Sequence, residues 1–299
     1  MPSYDITRPR FRLSDEHVIV LTELATDRPV PDEYTAARDE LRRCGLLGQD
    51  GELSVLLLPV LKTLVNPVVV VSLEATGRQG TLNHGLIIGE DHVVAHQSWP
   101  GEREAEYTTV EPKTLVWAMA SMVNLQQSAA VRDAGLAVVE TTVATLEAGV
   151  GSVADVPAAA SGGAERDHIR AALESAAAAL EPSGTMAPVG TMAPSGTLDE
   201  PALTLLADMI GELRSSWRMT AAWRGRDGGQ DGVAVRGFGV WDCGPLGYWH
   251  RELPAEPVAP GQVGPDSAVR LVRTDAKRVW EMITDLLPEE GEIRRVAGR

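Results

Sequence analysis

The sequence is poor in the residues that build reactive or covalently stabilised sites. Its 299 residues include two cysteines, Cys44 and Cys243, which form no CxxC or Cys/His ligand spacing. A disulfide framework and a structural zinc site are therefore not expected. The sequence also lacks GxSxG and GxxxxGK[ST], so neither a nucleophile elbow nor a phosphate-binding loop is predicted. We expect a protein without a cofactor or a stoichiometric metal.

Lysine and long apolar runs are also scarce. Only three of the 27 basic residues are lysines, and 42 acidic residues give a net charge of −15. This field repels phosphate backbones, so nucleic acids and anionic membranes are poor candidate partners. The longest apolar run surrounds Val68–Val71 and is far shorter than a bilayer span, and the polar segment Met1–Arg12 does not resemble a secretory signal. The sequence predicts a cytoplasmic protein with no membrane insertion, and its arginine excess is typical of a GC-rich, actinobacterial-type genome.

Apolar spacing predicts helices followed by strands in the first half of the chain. Ser14 is a candidate N-cap of the first helix, although the β-branched residues Val18–Val20 leave a strand as the alternative. Two further helices are predicted over Asp32–Gly45 and Leu53–Leu64, the second interrupted or kinked by Pro59. The predicted strands are Val68–Leu73, Thr81–Ile88, His92–Ser98 and Tyr107–Val110, followed by a helix that begins near Pro112.

The middle of the chain differs in composition. Ala148–Gly163 is rich in small residues and is interpreted as a linker, and an alanine-rich helix is predicted over Glu165–Leu180. Pro182–Leu198 repeats a six-residue unit with Pro and Gly at fixed positions, which is incompatible with a helix or a central strand. We expect this repeat to be a disordered linker. The predicted division is 1–147 and 201–299 as two α+β halves, with 148–200 between them.

The second half repeats the pattern of the first. A helix over Pro201–Ser215 precedes four predicted strands, and a helix ending at Leu287 follows them. These strands are Trp217–Arg224, Val233–Asp242, Tyr248–Leu253 and Ala268–Arg273, with the glycine-rich turn Gly225–Gly232 between the first two. The expected fold class is α+β, with two pseudo-symmetric halves, each an antiparallel sheet with flanking helices.

Residue matches support an internal duplication. Val116-Trp117-Ala118-Met119 matches Val279-Trp280-Glu281-Met282 at an offset of 163 residues. Each match lies in a helix that follows a predicted strand. A four-residue match alone is weak, and the shared order of elements is what makes a pseudo-twofold arrangement a reasonable hypothesis.

Two segments resemble a known family. The first is Glu40-Leu41 … Gly45-Leu46 … Asp50-Gly51-Glu52-Leu53 … Leu57-Leu58-Pro59 … Leu64-Val65-Asn66-Pro67, and the second is the hairpin Gly239–Trp249. This pattern resembles the EspG-like proteins of actinobacterial type VII (ESX) secretion systems over residues 11–125 and 201–288. The resemblance implies two pseudo-symmetric α+β halves and a cytosolic chaperone that binds a helical secretion substrate, best known as PE–PPE heterodimers. The hexapeptide repeat has no counterpart in that pattern.

Aromatic residues on the strands of the second half are the candidate partner-binding residues. They are Trp217, Trp223, Trp241, Tyr248 and Trp249. Trp217 and Trp223 are six residues apart and therefore share one face of a strand. A buried core is the first interpretation of these rings, and an exposed aromatic platform is the alternative, because tryptophan is enriched at binding hot spots.

Two enzyme or regulator hypotheses remain as alternatives. A three-residue loop Gly89–Asp91 would place His84 opposite His96, close enough to share a metal. HxE at His250 lacks the later PCxxC of zinc deaminases. The segment Asp32–Leu64 is also compatible with a helix-turn-helix DNA-binding regulator, which the net charge argues against.

Deleting Pro182–Leu198 should change the melting temperature little, because its Pro/Gly period does not support packed regular structure. Thermal unfolding followed by circular dichroism measures this. A drop above ~10 °C, which corresponds to about 2 kcal/mol or more for a chain of this length, would contradict the prediction.

Overall fold

A computed structural model describes residues 1–77, 80–126, 135–155, 162–179, 198–227, 230–253 and 261–293. Residues 182–197 of the hexapeptide repeat and Gly228–Gly229 of the glycine-rich turn lie outside this part of the chain. The predicted mobility of the repeat therefore stays a prediction. The last residue of the repeat, Leu198, is described, and it packs against a core cluster.

The described residues form an α+β fold, as predicted. The helices are α1 (Asp15–Ala25), α2 (Thr35–Arg43), α3 (Leu58–Val65), α4 (Leu115–Met122), α5 (Val143–Ser152), α6 (Gly162–Ala179), α7 (Glu200–Gly211) and α8 (Ala276–Leu286). The strands are β1 (Ser3–Asp5), β2 (Arg10–Leu13), β3 (Val69–Gly77), β4 (Gly80–Ile88), β5 (Val93–Gln97), β6 (Ala105–Val110), β7 (Val138–Thr142), β8 (Ser215–Asp227), β9 (Gln230–Asp242), β10 (Tyr248–Arg251) and β11 (Ala268–Thr274). In the part of the chain that is described, no helix is long and apolar enough to cross a membrane.

The described strands form one eleven-stranded sheet, and the strand order on one side of its middle is equivalent to the strand order on the other side. The order is β1-β2-β6-β5-β4-β3-β8-β9-β10-β11-β7. From β3 outward, the sheet runs through β4, β5, β6 and β2, and from β8 outward it runs through β9, β10, β11 and β7. Among the described residues, three α-helices separate β2 from β3, and three separate β7 from β8.

The two halves are therefore pseudo-symmetric in topology, which confirms the expectation drawn from the repeated order of elements. α4 follows β6, and α8 follows the equivalent strand β11. The matched residues Trp117 and Trp280 lie in these two helices, and their rings touch with centroids 4.6 Å apart. The four-residue match therefore marks equivalent positions in the two halves.

Compact packing groups the chain in a different way from its sequence order. One unit comprises Met1–Gln126, Trp217–Gly237 and Val279–Arg299, and the other comprises Gln127–Ser216 and Phe238–Arg278. These units describe which residues pack together, and the predicted sequential division into 1–147, 148–200 and 201–299 stays a prediction.

The core of the first unit lies between α1, α2, α3 and one side of the outer strands. Phe11 and Leu13 of β2 are buried there with Tyr107 of β6. The segment Met1–Arg12, polar in composition, thus contributes a buried strand residue. The alternation Arg10-Phe11-Arg12-Leu13 carries the strand signal, because every second side chain is buried.

The core of the second unit corrects the interpretation of the middle segment. The predicted linker Ala148–Gly163 is wrong at its start, because α5 continues to Ser152. The alanine-rich helix is present as α6, and it fully buries Ile169 and Leu173. A Cβ atom on Gly149 would lie 2.5 Å from a Leu173 methyl, so the small residues of α5 permit close helix packing.

The start of α1 is fixed by a histidine. The backbone N–H of Ser14, the predicted N-cap, donates to Nδ1 of His17 over 3.0 Å, and the Ser14 hydroxyl lies 2.7 Å from the same nitrogen. The other nitrogen, Nε2, lies 3.2 Å from a carboxylate oxygen of Glu40 on α2. Because Nδ1 accepts a hydrogen bond from a backbone N–H, the arrangement requires neutral His17 protonated on Nε2.

We expect the free energy of unfolding to fall as the pH drops below about 6.5, the ordinary pKa of histidine. Burial lowers the pKa of His17 in the folded state, against the opposing effect of Glu40, so the unfolded chain binds the proton first. This contribution is fully present above the unfolded pKa and is lost on acidification. Urea unfolding at several pH values between about 5.5 and about 7.5 measures this change in the free energy of unfolding.

His17→Gln should flatten this pH dependence by up to about 1.4 kcal/mol per pH unit. Some dependence should remain, because burial also lowers the pKa of His84 and of His96. An identical slope in the variant and the wild type would refute the role assigned to His17.

Candidate functional site

Four of the five aromatic residues proposed as an exposed platform are interior residues. The side chains of Trp217 and Trp223 are only 3% and 5% exposed, and Tyr248 and Trp249 are buried as well. The indole N–H of Trp249 donates to the carbonyl oxygen of Leu246 over 3.2 Å. Trp241 is half-buried against the same core as Trp249. These rings fill the core of the free chain, which agrees with the buried-core interpretation, and the partner-binding role given to these residues stays a prediction.

Alternation along β8 explains the placement of Trp217 and Trp223. The two rings share one face of the strand, as their spacing predicted, and the residues between them on that face are Met219 and Ala221, both fully buried. The guanidinium of Arg236 on β9 lies 5.1 Å from the Trp223 ring, a cation–π distance. This face therefore supports the fold.

The opposite face of β8 is more exposed. Contacts between side chains show which residues of the neighbouring strands lie on the same face. Arg218 of β8 pairs with Glu74 of β3 over 3.6 Å. A Cβ atom on Gly237 of β9 would lie 2.8 Å from a methyl of Thr220, so the odd-numbered residues of β9 share this face. We call this surface the open face; its exposed members are Val70, Ser72, Glu74 and Thr76 of β3, Thr81 and Asn83 of β4, Arg218 and Arg224 of β8, and Val233 and Val235 of β9.

The open face combines apolar and polar groups without reactive chemistry. Val233 and Val235 are 64% and 63% exposed, although both stand on a central strand where valine is normally covered. The same face carries the Glu74–Arg218 pair and, on β3 and β4, a 3.0 Å hydrogen bond between the hydroxyls of Thr76 and Thr81. Exposed apolar side chains that share a surface with charged and hydroxyl groups are typical of protein-binding surfaces. The sequence signal for these valines was simple strand alternation, which does not reveal exposure.

The register of β4 and β5 removes the histidine pair on which the metal-enzyme hypothesis depended. The loop contains four residues, Gly89 to His92, because Ile88 pairs with Val93. His96 consequently lies opposite Gly85, and its ring packs 5.0 Å from that of Tyr107. His84 instead accepts a hydrogen bond at Nδ1 from the backbone N–H of Ser98 over 3.2 Å. No group of three potential metal-ligating side chains occurs among the described residues.

The connection between α2 and α3 does not fit the helix-turn-helix hypothesis. The helices α2 and α3 are separated by residues 44–57, whereas a helix-turn-helix joins its helices by a turn of about 3–4 residues. Leu41, Val60 and Leu61 of these helices are buried in the core of the first unit. They are structural helices of an α+β fold.

Comparison with known proteins yields a likeness of fold. No protein-family model and no curated protein matches the chain. Among solved structures, the chain is similar to EspG5, a type VII secretion system chaperone of Mycobacterium tuberculosis, solved in complex with the PE25–PPE41 dimer. The superposition has a TM-score of 0.53 and covers 95% of this chain and 100% of EspG5, with 13% sequence identity. The chain thus has an EspG-like fold.

Trp249→Ala should lower the free energy of unfolding by about 3–5 kcal/mol, because it removes a fully buried ring and leaves a cavity. Trp99→Ala is the matched control, since Trp99 is 50% exposed and should change stability by less than ~1 kcal/mol. Urea unfolding measures both. Equal losses in the two variants would show that Trp249 does not have the core role assigned to it.

Proposed function

We propose that this chain is a cytoplasmic chaperone of a type VII secretion system that holds a helical, PE–PPE-like secretion substrate. The likeness of fold to a chaperone whose structure was solved in complex with a PE–PPE dimer, over nearly the whole chain, carries the proposal. The enzyme and DNA-binding hypotheses lack comparable support, because the histidine pair and the short helix connection that they require are not present. The chain would therefore act by binding and not by catalysis.

We further propose the open face as the surface that binds the substrate. The four strands in the order β4-β3-β8-β9 span about 14 Å between the outer strands, at ~4.8 Å per step. An α-helix with its side chains is about 10–12 Å wide, so one helix fits across this face. The dimensions agree with a partner that presents a helical tip.

The chemistry of the open face suits an amphipathic helix. The exposed side chains of Val233 and Val235 can bury apolar residues of a helix, whereas Arg218, Arg224 and Glu74 can fix its orientation by charge. Helix-in-groove recognition uses such apolar anchors at helical spacing. Complementary charges contribute to partner choice and association rate more than to affinity.

Val235→Asp should weaken binding of a PE–PPE heterodimer from the same organism by at least about 30-fold, the effect of losing a hot-spot anchor. A carboxylate at this position would lose its hydration when the partner covers it, and the apolar contact of the valine would be lost. Isothermal titration calorimetry with the purified full-length chain measures the affinity. Because Val235 is exposed in the free chain, the variant should fold normally.

Val55→Asp is the matched control. Val55 is 74% exposed in the same unit, but it precedes α3 and is not part of the open face, so binding should be unchanged. Equal binding by Val235→Asp and the wild type would place the contact elsewhere. Failure of the wild-type chain to bind any PE–PPE heterodimer of its organism would contradict the chaperone role itself.

A further inference from the structure

The seven residues that follow α8 return to β8. We call this segment, Leu287–Ile293, the strap. Its last residue forms an antiparallel bridge with Gly225. Within the strap, the N–H of Glu292 donates to the carbonyl oxygen of Glu289 over 2.9 Å, and the N–H of Glu289 donates to a carboxylate oxygen of Glu292 over 2.8 Å. These bonds close a compact turn, so the strap has a defined path from the helix back to the sheet.

One side chain, that of Arg236 on β9, fastens the strap. Its Nη1 atom donates to the carbonyl oxygens of Asp285 and Leu287, each over 3.4 Å, and its Nη2 atom pairs with a carboxylate oxygen of Glu292. The last carbonyl groups of a helix have no partner within the helix, so a guanidinium at this end stabilises it. Because Arg236 is adjacent to the open-face residue Val235, it points to the other side of the sheet. The end of α8 and the strap therefore lie on the side away from the open face.

The strap covers the ring of Trp223. The guanidinium carbon of Arg236 lies 5.1 Å from the centre of this ring. A Cβ atom on Gly225, two residues further along the same face of β8, would lie 2.8 Å both from Nε1 of the ring and from the carbonyl oxygen of Glu292. The missing side chain at this glycine thus lets the backbone of the strap lie against β8 beside the indole. The strap contributes in this way to the burial of Trp223, which is only 5% exposed.

The contacts of the strap are of a kind that opens locally. Residues 289–291 are exposed, and the side chains of Arg236 and Glu292 are 39% and 37% exposed. Exposed ion pairs contribute little to stability, because water screens them. Segments with few buried apolar contacts open at a lower free energy than the core elements on which they lie. We therefore expect the strap to open while β8 and β9 stay paired.

We propose that the strap is an autoinhibitory contact over a groove that binds an extended acidic peptide. The groove brings together the guanidinium of Arg236, the indole of Trp223 and the glycine at position 225. The strap occupies it with the carboxylate of Glu292 and the backbone of Ile293, so a peptide that displaces the strap needs the same chemistry. Arginine pairs closely with carboxylates, and an extended segment adds to a strand through backbone hydrogen bonds. The groove and the open face lie on opposite sides of β9, and the inference does not depend on the proposed function.

Hydrogen–deuterium exchange of the full-length chain tests whether the strap opens by itself. Strap amides should exchange at least about tenfold faster than the paired amides of β8. Arg236→Gln and Glu292→Gln should each accelerate exchange in the strap and leave exchange in β4 unchanged. Arg218→Gln is the matched control, because it removes an exposed ion pair with Glu74 on the open face and should not affect the strap. Exchange in the strap as slow as in β8 would contradict local opening and overturn the proposal.

A synthetic peptide with the strap sequence, Leu-Pro-Glu-Glu-Gly-Glu-Ile, tests the groove. The strap of the same chain competes with it at a high effective concentration, so the wild type should bind the peptide weakly. Glu292→Gln loosens the strap but keeps Arg236, and this variant should bind the peptide at least about tenfold more tightly than the wild type. Arg236→Gln also loosens the strap but removes the partner of the carboxylate, so it should gain no affinity. Fluorescence anisotropy of the labelled peptide measures the affinity.

A second peptide, with glutamine in place of its last glutamate, is the matched control and should not bind the Glu292→Gln chain. This comparison uses one protein variant, so it is informative even if Arg236→Gln does not fold, which circular dichroism verifies. Absence of peptide binding to the Glu292→Gln chain would show that the strap covers no groove. Equal affinity of that chain for the two peptides would show that Arg236 does not recognise a carboxylate. Either result would overturn the proposal.

Discussion

The alternation of side chains along β8 and β9 is the constraint on which the core and the open face of the first unit both depend. Trp217 and Trp223 occupy one face of β8, and Arg218 and Arg224 occupy the other. Because the side-chain period of a strand is two, a slip of one residue would move the rings into water and the guanidinium groups into the core. The cation–π contact of Arg236 with Trp223 is compatible with the observed register alone. The interactions that stabilise the sheet thus also determine which residues a partner can reach.

Most of the regular structure could be predicted from the spacing of apolar residues, and the elements that this spacing missed are three short strands and the helix α5. The long strands β3, β4, β8 and β9 are present at or near their predicted positions, and the cap residue Ser14 begins α1. By contrast, β1, β2 and β7 have three to five residues, which is too few for a period to emerge. They add to the sheet through neighbours that are distant in sequence. The pairing of β2 with β6 supplies what local propensity lacks.

The candidate site was harder to predict, because a period of two assigns residues to faces without revealing which face is covered. Trp217 and Trp223 were correctly assigned to one face, yet their burial depends on packing that the pattern does not encode. The valines of the open face carried no signal beyond strand propensity. The predicted pairing of His84 with His96 was wrong because the loop is one residue longer than expected. The Gly89 N–H donates to the carbonyl oxygen of His92, which includes His92 in the loop. In α5, the small residue Gly149 that suggested a linker instead allows Leu173 to approach closely.

The duplication explains how one sheet can offer two different surfaces. On the open face, equivalent strands have diverged: Glu74 on β3 is paired with Arg218 on β8, so this surface has no twofold character in its charges. Such asymmetry suits a single, oriented partner. On the other side of the sheet, the equivalent helices have retained Trp117 and Trp280 in mutual contact. The two surfaces therefore differ in character, because one has diverged in charge and the other has retained its aromatic pair.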